Sequence, residues 1–260
     1  MERNEIPGQG SCRIESGFWN RYIGVIRNGV IPYQWDILND RREDAEPSHA
    51  IDNFRIAAGE MEGAFYGQVF QDSDVYKWLE AVGNILMLER DPHLEEQADS
   101  LIDLIVKAQE ADGYLDTYFT IREPEKKWSD LLECHELYCA GHMIEGAIAY
   151  YQATGKEKIY RAACRLADYL TQIFGQEEGK MHGYPGHQEI ELALLKLYEV
   201  SGEEQYLRLA SYFLETRGTN RFFEEEFEKR GRTTFWNGAK IPEPNERYNH
   251  YPYSYYNQFH

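Results

Sequence analysis

Along most of this chain apolar residues recur with a helical period, and few stretches alternate with a period of two. "SDVYKWLEAVGNILMLERDP" opens at a good N-capping residue, Ser73 or Asp74, and stops at Asp91-Pro92. "HLEEQADSLIDLIVKAQEADG" places Leu94, Ala98, Leu101, Ile105 and Ala108 at helical spacing and ends at Gly113. "LLECHELYCAGHMIEGAIAYYQATG" ends at Gly155, a residue suited to the left-handed turn that closes a helix. "KEKIYRAACRLADYLTQIFG", "HQEIELALLKLYEVSG" and "EEQYLRLASYFLETRG" follow.

These predicted helices form pairs that resemble one another. An offset of 47 residues lays Thr154-Gly155 on Ser201-Gly202, and then Ile159, Ala163 and Leu166 fall on Tyr206, Ala210 and Phe213. An offset of 65 in the other direction lays the same three on Leu94, Ala98 and Leu101. Helical hairpins are therefore expected at about 73–113, 131–174 and 187–217. In each, the first helix is the more apolar and the second carries charge on one face. A two-ring α/α toroid needs that division, because inner helices touch neighbours on all sides and outer ones show a face to water. The longer connections, "ADGYLDTYFTIREPEKKWSD" and "GQEEGKMHGYPG", would rim one mouth of the ring, a natural place for a site. From 219 to 260 the tail loses periodicity and is rich in aromatics, Asn and Pro.

Composition narrows the function. With 27 basic and 45 acidic residues the formal charge is −18, so no basic stripe offers itself to nucleic acid or an anionic membrane. No run reaches the length of a membrane-spanning helix. The N-terminal residues lack an apolar signal segment, and four scattered cysteines in 260 residues do not make a disulfide framework. A cytoplasmic setting is expected. The 20 Tyr, 12 Phe and 5 Trp suit stacking on sugar faces, and equally suit filling wide spaces between helices.

The segment from Leu131 to Gly155 concentrates Cys134, His135, Cys139 and His142. On a helix His135, Cys139 and His142 share a face but span about 10 Å, too far apart to converge on one ion. Cys139 reads as a small buried hydrophobe. His135 opens one inner helix and His187 precedes the next, each close to an acidic residue, Glu136 or Glu189. The two imidazoles could converge on sugar hydroxyls as donor and acceptor, or each could merely finish its own helix end. Asp72 starts another helix, where a carboxylate is either catalytic or set against the helix dipole. Carboxylates are too numerous for spacing to pick out an acid and a nucleophile.

"IPYQWDILND", "SHAIDNFRIAAGE", "GQVFQDSDVYKWLE", "QEADGYLDTYF", "CHELYCAGHMIEGAIAYYQATG" and "GYPGHQEIELALLKLYEVSGEEQYL", in this order, resemble the N-terminal half of the family 127 glycoside hydrolases, the β-L-arabinofuranosidases. The resemblance implies an all-α fold, an (α/α)6 toroid of helical hairpins that is incomplete in this chain, with residues 1–260 forming the N-terminal part of one catalytic barrel. It implies release of β-L-arabinofuranose from a non-reducing end with retention. The implied nucleophile is a cysteine held with other cysteines and a glutamate around zinc, which keeps the thiolate deprotonated. A second glutamate is the implied acid/base. His135 and His187 match histidines that contact the sugar, while Asp72 and Trp78 are weaker candidates for the pocket floor. The catalytic residues and zinc ligands are expected downstream of His260, and Cys134, Cys139 and Cys164 are not among them. No metal is therefore expected on residues of this chain.

The expected partners are an arabinofuranose-containing oligosaccharide or glycan, the remaining half of the barrel and β-sandwich domains. Two alternatives stand beside this reading. One is a non-catalytic fragment or sugar-binding toroid module. The other is a different α/α-toroid enzyme, such as an unsaturated glucuronyl hydrolase or a lyase, working with residues already present. An unclosed ring exposes apolar surface, so the isolated chain is expected to self-associate. Light scattering that shows a clean monomer, with no dye-binding apolar surface, would contradict this.

Overall fold

The computed structural model describes residues 14–218 and 222–234, with Gly238 and Lys240. Among the described residues the regular structure is helical, and pairing of extended segments is confined to isolated bridges such as Phe174 with Met181. The chain opens with α1 (Gly17–Val25), a π-helical turn (Ile26–Val30) and α2 (Ile31–Leu38) end to end. Pro32 at the start of α2 has no N–H for the preceding turn, which accounts for the local widening. Then come α3 (Ala50–Ala57), α4 (Asp72–Leu88), α5 (Pro92–Ala108), α6 (Thr117–Ile121), α7 (Glu136–Thr154), α8 (Lys158–Ile173), α9 (Ile190–Ser201), α10 (Glu204–Thr216) and α11 (Phe222–Lys229).

The helices stand in two rows. α2, α4, α7 and α9 are successive neighbours in one, and α3, α5, α8 and α10 in the other. Tight turns join α4 to α5, α7 to α8 and α9 to α10. The turns after α7 and α9 close on Gly155 and Gly202, whose φ of 73° and 76° an L side chain resists. α5 starts on Asp91, whose carboxylate accepts from the backbone N–H groups of His93 and Leu94, with Pro92 in the first turn. α4 begins at Asp72 with Gln71 as its N-cap, ahead of the Ser73 or Asp74 expected from sequence.

The repeated positions share one environment. Leu94, Ala98 and Leu101, then Ile159, Ala163 and Leu166, then Tyr206, Ala210 and Phe213 are all buried in one continuous core. Each outer helix thus presents the same stripe to the inner row. α4 and α7 approach closest where side chains vanish. A Cβ on Gly83 would lie 2.6 Å from the Ala149 carbonyl carbon, and one on Gly146 would lie 2.8 Å from the Tyr76 carbonyl oxygen.

Two sequence expectations change here. The described part of the tail is not irregular, because α11 forms there and buries Phe223, Glu226 and Phe227. Eight residues are too short for periodicity to stand out. The exposed apolar surface is also concentrated on α1 and the turn after it, with fewer such residues on the inner row, Tyr33 of α2 and Leu192 of α9 among them. Phe18, Trp19, Tyr22, Val25 and Val30 are each about half exposed.

The seam between α4 and α7 makes a direct test. Gly83→Ala should lower the unfolding free energy by about 1–3 kcal/mol through overpacking. Gly24→Ala on α1, with nothing within 4 Å of its Cβ, should raise it by up to about 1 kcal/mol through helix propensity. Urea midpoints measure both, and a stabilised Gly83→Ala would show that the seam is slack.

Candidate functional site

The site is built on the segment that leads into α7. Asp130 folds it into a tight turn, its Oδ1 accepting from the N–H groups of Leu132 at 3.2 Å and Glu133 at 2.9 Å. His135 then takes a left-handed conformation, φ 61°, immediately before the helix. Its Nδ1 lies 2.5 Å from the Glu133 carbonyl oxygen. A carbonyl only accepts, so Nδ1 carries the proton and Nε2 is the acceptor nitrogen. Burial lowers the His135 pKa, which keeps the ring neutral at pH 7.

His187 comes from the next helix pair, in the loop before α9. The two imidazole rings sit 4.7 Å apart, centroid to centroid. A backbone bond couples the two segments: the Gly186 N–H donates to the Leu131 carbonyl at 3.0 Å. A Cβ on Gly186 would lie 2.4 Å from the Leu132 carbonyl oxygen, so no other residue fits this crossing without a shift. Aromatic rings flank the pair. Phe70 lies 5.1 Å from His135, and Tyr138 lies 5.7 Å from His135 and 5.1 Å from His187. Lys77 of α4 donates to the Tyr138 hydroxyl at 2.6 Å and fixes that ring.

The other two candidates hold structural partners. Asp72 is buried, with one oxygen accepting from the Thr117 hydroxyl at 2.5 Å and the other from the Thr117 N–H at 2.7 Å. It therefore fastens the start of α6 to α4 instead of capping its own helix. Desolvation raises its pKa to about 6 against those hydrogen bonds. The Trp78 indole donates to the Ile31 carbonyl at 3.1 Å and stacks on Trp35 at 4.4 Å, which ties α4 to α2. The acidic residues near the two histidines also part company. Glu136 is buried, accepting from the Tyr114 hydroxyl at 2.6 Å and the Trp128 N–H at 2.7 Å. Glu189 instead joins a polar stripe across the inner row.

That stripe was not read from sequence, because its members are far apart in the chain. Lys77 and Glu80 come from α4, Tyr138, His142 and Glu145 from α7, and Lys196 from α9. Spacings of three and four residues put each set on one helix face. Lys196 is paired with Glu145. His142 Nδ1 lies 3.2 Å from a Glu189 oxygen, but without hydrogen-bond geometry. Burial takes His142 down to about 4, with Lys77 adding to the shift, so the contact is not an ion pair at neutral pH. Glu189 is pushed up to about 8, first by burial and then by Glu145. A cleft of about 750 Å³, lined by Phe174, Gly175 and Tyr212 among others, shares no residue with the histidine pair.

Among the described residues the cysteines do not fit a thiolate centre. Cys134 and Cys139 are buried and their thiols are pushed up, first by desolvation and then by neighbouring carboxylates. Cys164 is raised by the same first cause. Among the described residues, Glu80 with His142 and Glu145, and Asp40 with His49 and Asp52, bring ligand atoms within 4.8 Å of one another, and neither group contains a cysteine.

Comparison with known proteins places these features. Residues 11–247 match the profile of the β-L-arabinofuranosidase GH127 catalytic domain. The non-reducing end β-L-arabinofuranosidase of Bifidobacterium longum subsp. longum is 46% identical over 221 residues, covering 79% of this chain and 34% of its own. The crystal structure of a GH127 β-L-arabinofuranosidase from Geobacillus stearothermophilus T6 superposes with a TM-score of 0.83 at 59% identity, covering 86% of this chain and 36% of that one. The structure of a GH127 β-arabinofuranosidase superposes with a TM-score of 0.74 at 34% identity, covering 81% and 34%. The chain belongs to the GH127 β-L-arabinofuranosidase family, and its helix pairs are those of an α/α toroid. It spans about a third of the length of these relatives. Membership is consistent with a metal at the level of the family.

Glu136 gives this region a pH signature. Burial raises its pKa from 4.5 to about 8. A raised carboxyl contributes stability that is complete below about pH 4.5 and lost as pH rises through about 8. Glu136→Gln should therefore reduce the fall in Tm between about pH 5 and pH 9. An unchanged Tm profile in the variant would show that Glu136 titrates normally.

Proposed function

We propose that this chain forms one wall of the sugar site of a retaining, non-reducing-end β-L-arabinofuranosidase. His135 and His187 hold the hydroxyls of a terminal β-L-arabinofuranose. One observation carries the reading: two helix pairs, distant in sequence, bring their imidazoles to 4.7 Å between aromatic rings. The names of the relatives agree with it.

The chemistry follows from the protonation states. His135 Nε2 accepts from a sugar hydroxyl, while its protonated Nδ1 stays on the Glu133 carbonyl. A neutral His135 suits a neutral ligand, since its Nε2 accepts a hydrogen bond from a hydroxyl without a buried charge. Phe70 and Tyr138 supply apolar surface for the sugar's C–H face.

In this reading the family's metal is zinc, and the cysteine nucleophile, acid/base glutamate and zinc ligands lie outside these 260 residues. The length of the relatives and the poor fit of Cys134, Cys139 and Cys164 support that division. The substrate is an arabinofuranose-containing glycan, and cysteine usage favours the cytoplasm.

Hydrolysis of an aryl β-L-arabinofuranoside, with zinc and a reducing thiol present, tests the reading. The isolated chain should show no turnover, and a polypeptide matching the remaining length of the relatives should restore it. In the restored enzyme His135→Ala or His187→Ala should lower kcat/KM by about a hundredfold, the size of a lost hydrogen bond that leaves a buried partner unpaired. Turnover by the chain alone would place the catalytic residues within it. Unchanged kcat/KM in both variants would remove the histidines from the site.

A further inference from the structure

We infer that α11 is a clamp that sets the spacing of the two imidazoles, and that Arg230 and Glu226 are positioning residues for His135. The inference rests on the reading of His135 and His187 as sugar ligands. α11 reaches both segments that carry them.

Toward His135 the contacts are polar. Glu226 Oε1 accepts from the Leu131 N–H at 2.9 Å. One guanidinium nitrogen of Arg230 donates to the Asp130 carboxylate and also to a Glu133 oxygen at 2.9 Å. Asp130 is the residue that shapes the turn, and the Glu133 carbonyl is the acceptor that fixes His135 Nδ1. Arg230 thus bridges the two ends of the four-residue turn that precedes Cys134 and His135, one cation shared by two carboxylates. Toward His187 the contacts are aromatic. Phe223 packs on Tyr184 at 4.6 Å, and a Cβ on Gly183 would lie 2.4 Å from the Phe222 ring and 2.6 Å from Leu131. The same short helix therefore rests on the 183–186 loop and holds the 130–133 turn, with Phe222 and Glu226 on one face.

Glu226 of α11 and Arg230, the residue after it, act on His135 through the backbone they hold. A helix serving only bulk stability would not need Arg230 to meet both carboxylates of this turn. The buried Leu131 N–H would otherwise lose its acceptor, at the usual penalty for an unsatisfied buried donor.

The experiment uses the full 260-residue chain. Nuclear Overhauser contacts between the His135 and His187 ring protons report the spacing directly, with resonances assigned through His135→Gln and His187→Gln. Titration with methyl β-L-arabinofuranoside reports binding, and Tm reports folding. Arg230→Ala should weaken the ring-to-ring contact and lower sugar affinity by about tenfold, the effect of one oriented hydrogen bond lost at the turn. Arg230→Lys should restore part of both, and Arg161→Ala on the exposed face of α8 should change neither. Glu226→Gln keeps an acceptor for the Leu131 N–H and should behave as wild type, whereas Glu226→Leu should behave as Arg230→Ala. If Arg230→Ala does not fold, the two Glu226 variants decide. An unchanged ring-to-ring contact in folded Arg230→Ala and Glu226→Leu overturns the clamp, even if affinity falls. If the contact weakens as expected but no sugar perturbs either wild-type imidazole, the clamp stands and the sugar reading fails.

Discussion

The close approach of α4 and α7 is the constraint on which the rest depends. Gly83 meets the backbone of Ala149 and Tyr150, and Gly146 meets the Tyr76 carbonyl. At that separation Lys77 of α4 can reach the Tyr138 hydroxyl of α7, and Tyr138 in turn stands beside both histidines. Larger residues at the seam would push the helices apart, and the polar contacts across them would lengthen first. Hydrogen bonds fall off steeply with distance and angle, while apolar packing tolerates small shifts.

Burial then sets the chemistry. His135 and His142 sit where desolvation disfavours the imidazolium, and Glu136, Glu189 and Glu226 sit where it disfavours the carboxylate. A chain with formal charge −18 thus gathers around its histidines several groups whose charge is suppressed. Neutral donors and acceptors are suited to a polyhydroxylated, uncharged ligand, because an ion there would add a desolvation cost. The same argument accounts for Cys134 and Cys139 as packing residues. Desolvation and nearby carboxylates outweigh Arg230 near Cys134 and Lys77 near Cys139, so both favour the thiol.

Local rules made much of this legible in the sequence. The helical period, Asp91-Pro92 at a helix start and the glycines after α7 and α9 each act within a few residues, so reading along the chain finds them. The stripes Leu94, Ala98, Leu101 and Ile159, Ala163, Leu166 repeat because each outer helix solves the same packing problem. His135 and His187 stood out because they occupy matching places in successive pairs. α11, the Glu80–His142–Glu145 group and the true partners of Asp72 and Trp78 did not stand out. Each depends on residues tens of positions away, such as Thr117 for Asp72 and Ile31 for Trp78.

The sequence by itself determined the helices, their pairing and the residue types able to bind a sugar, since propensity, capping and periodicity are short-range. Only the tertiary structure decided which of those residues meet. It brought His135 to His187 through a crossing that needs Gly186, turned Asp72 into a fastener for Thr117, and put Arg230 about a hundred residues away in sequence against the turn that holds His135. The physical reason is that pKa, hydrogen-bond partner and burial are properties of the folded neighbourhood, and the neighbourhood is assembled from segments that no local pattern connects.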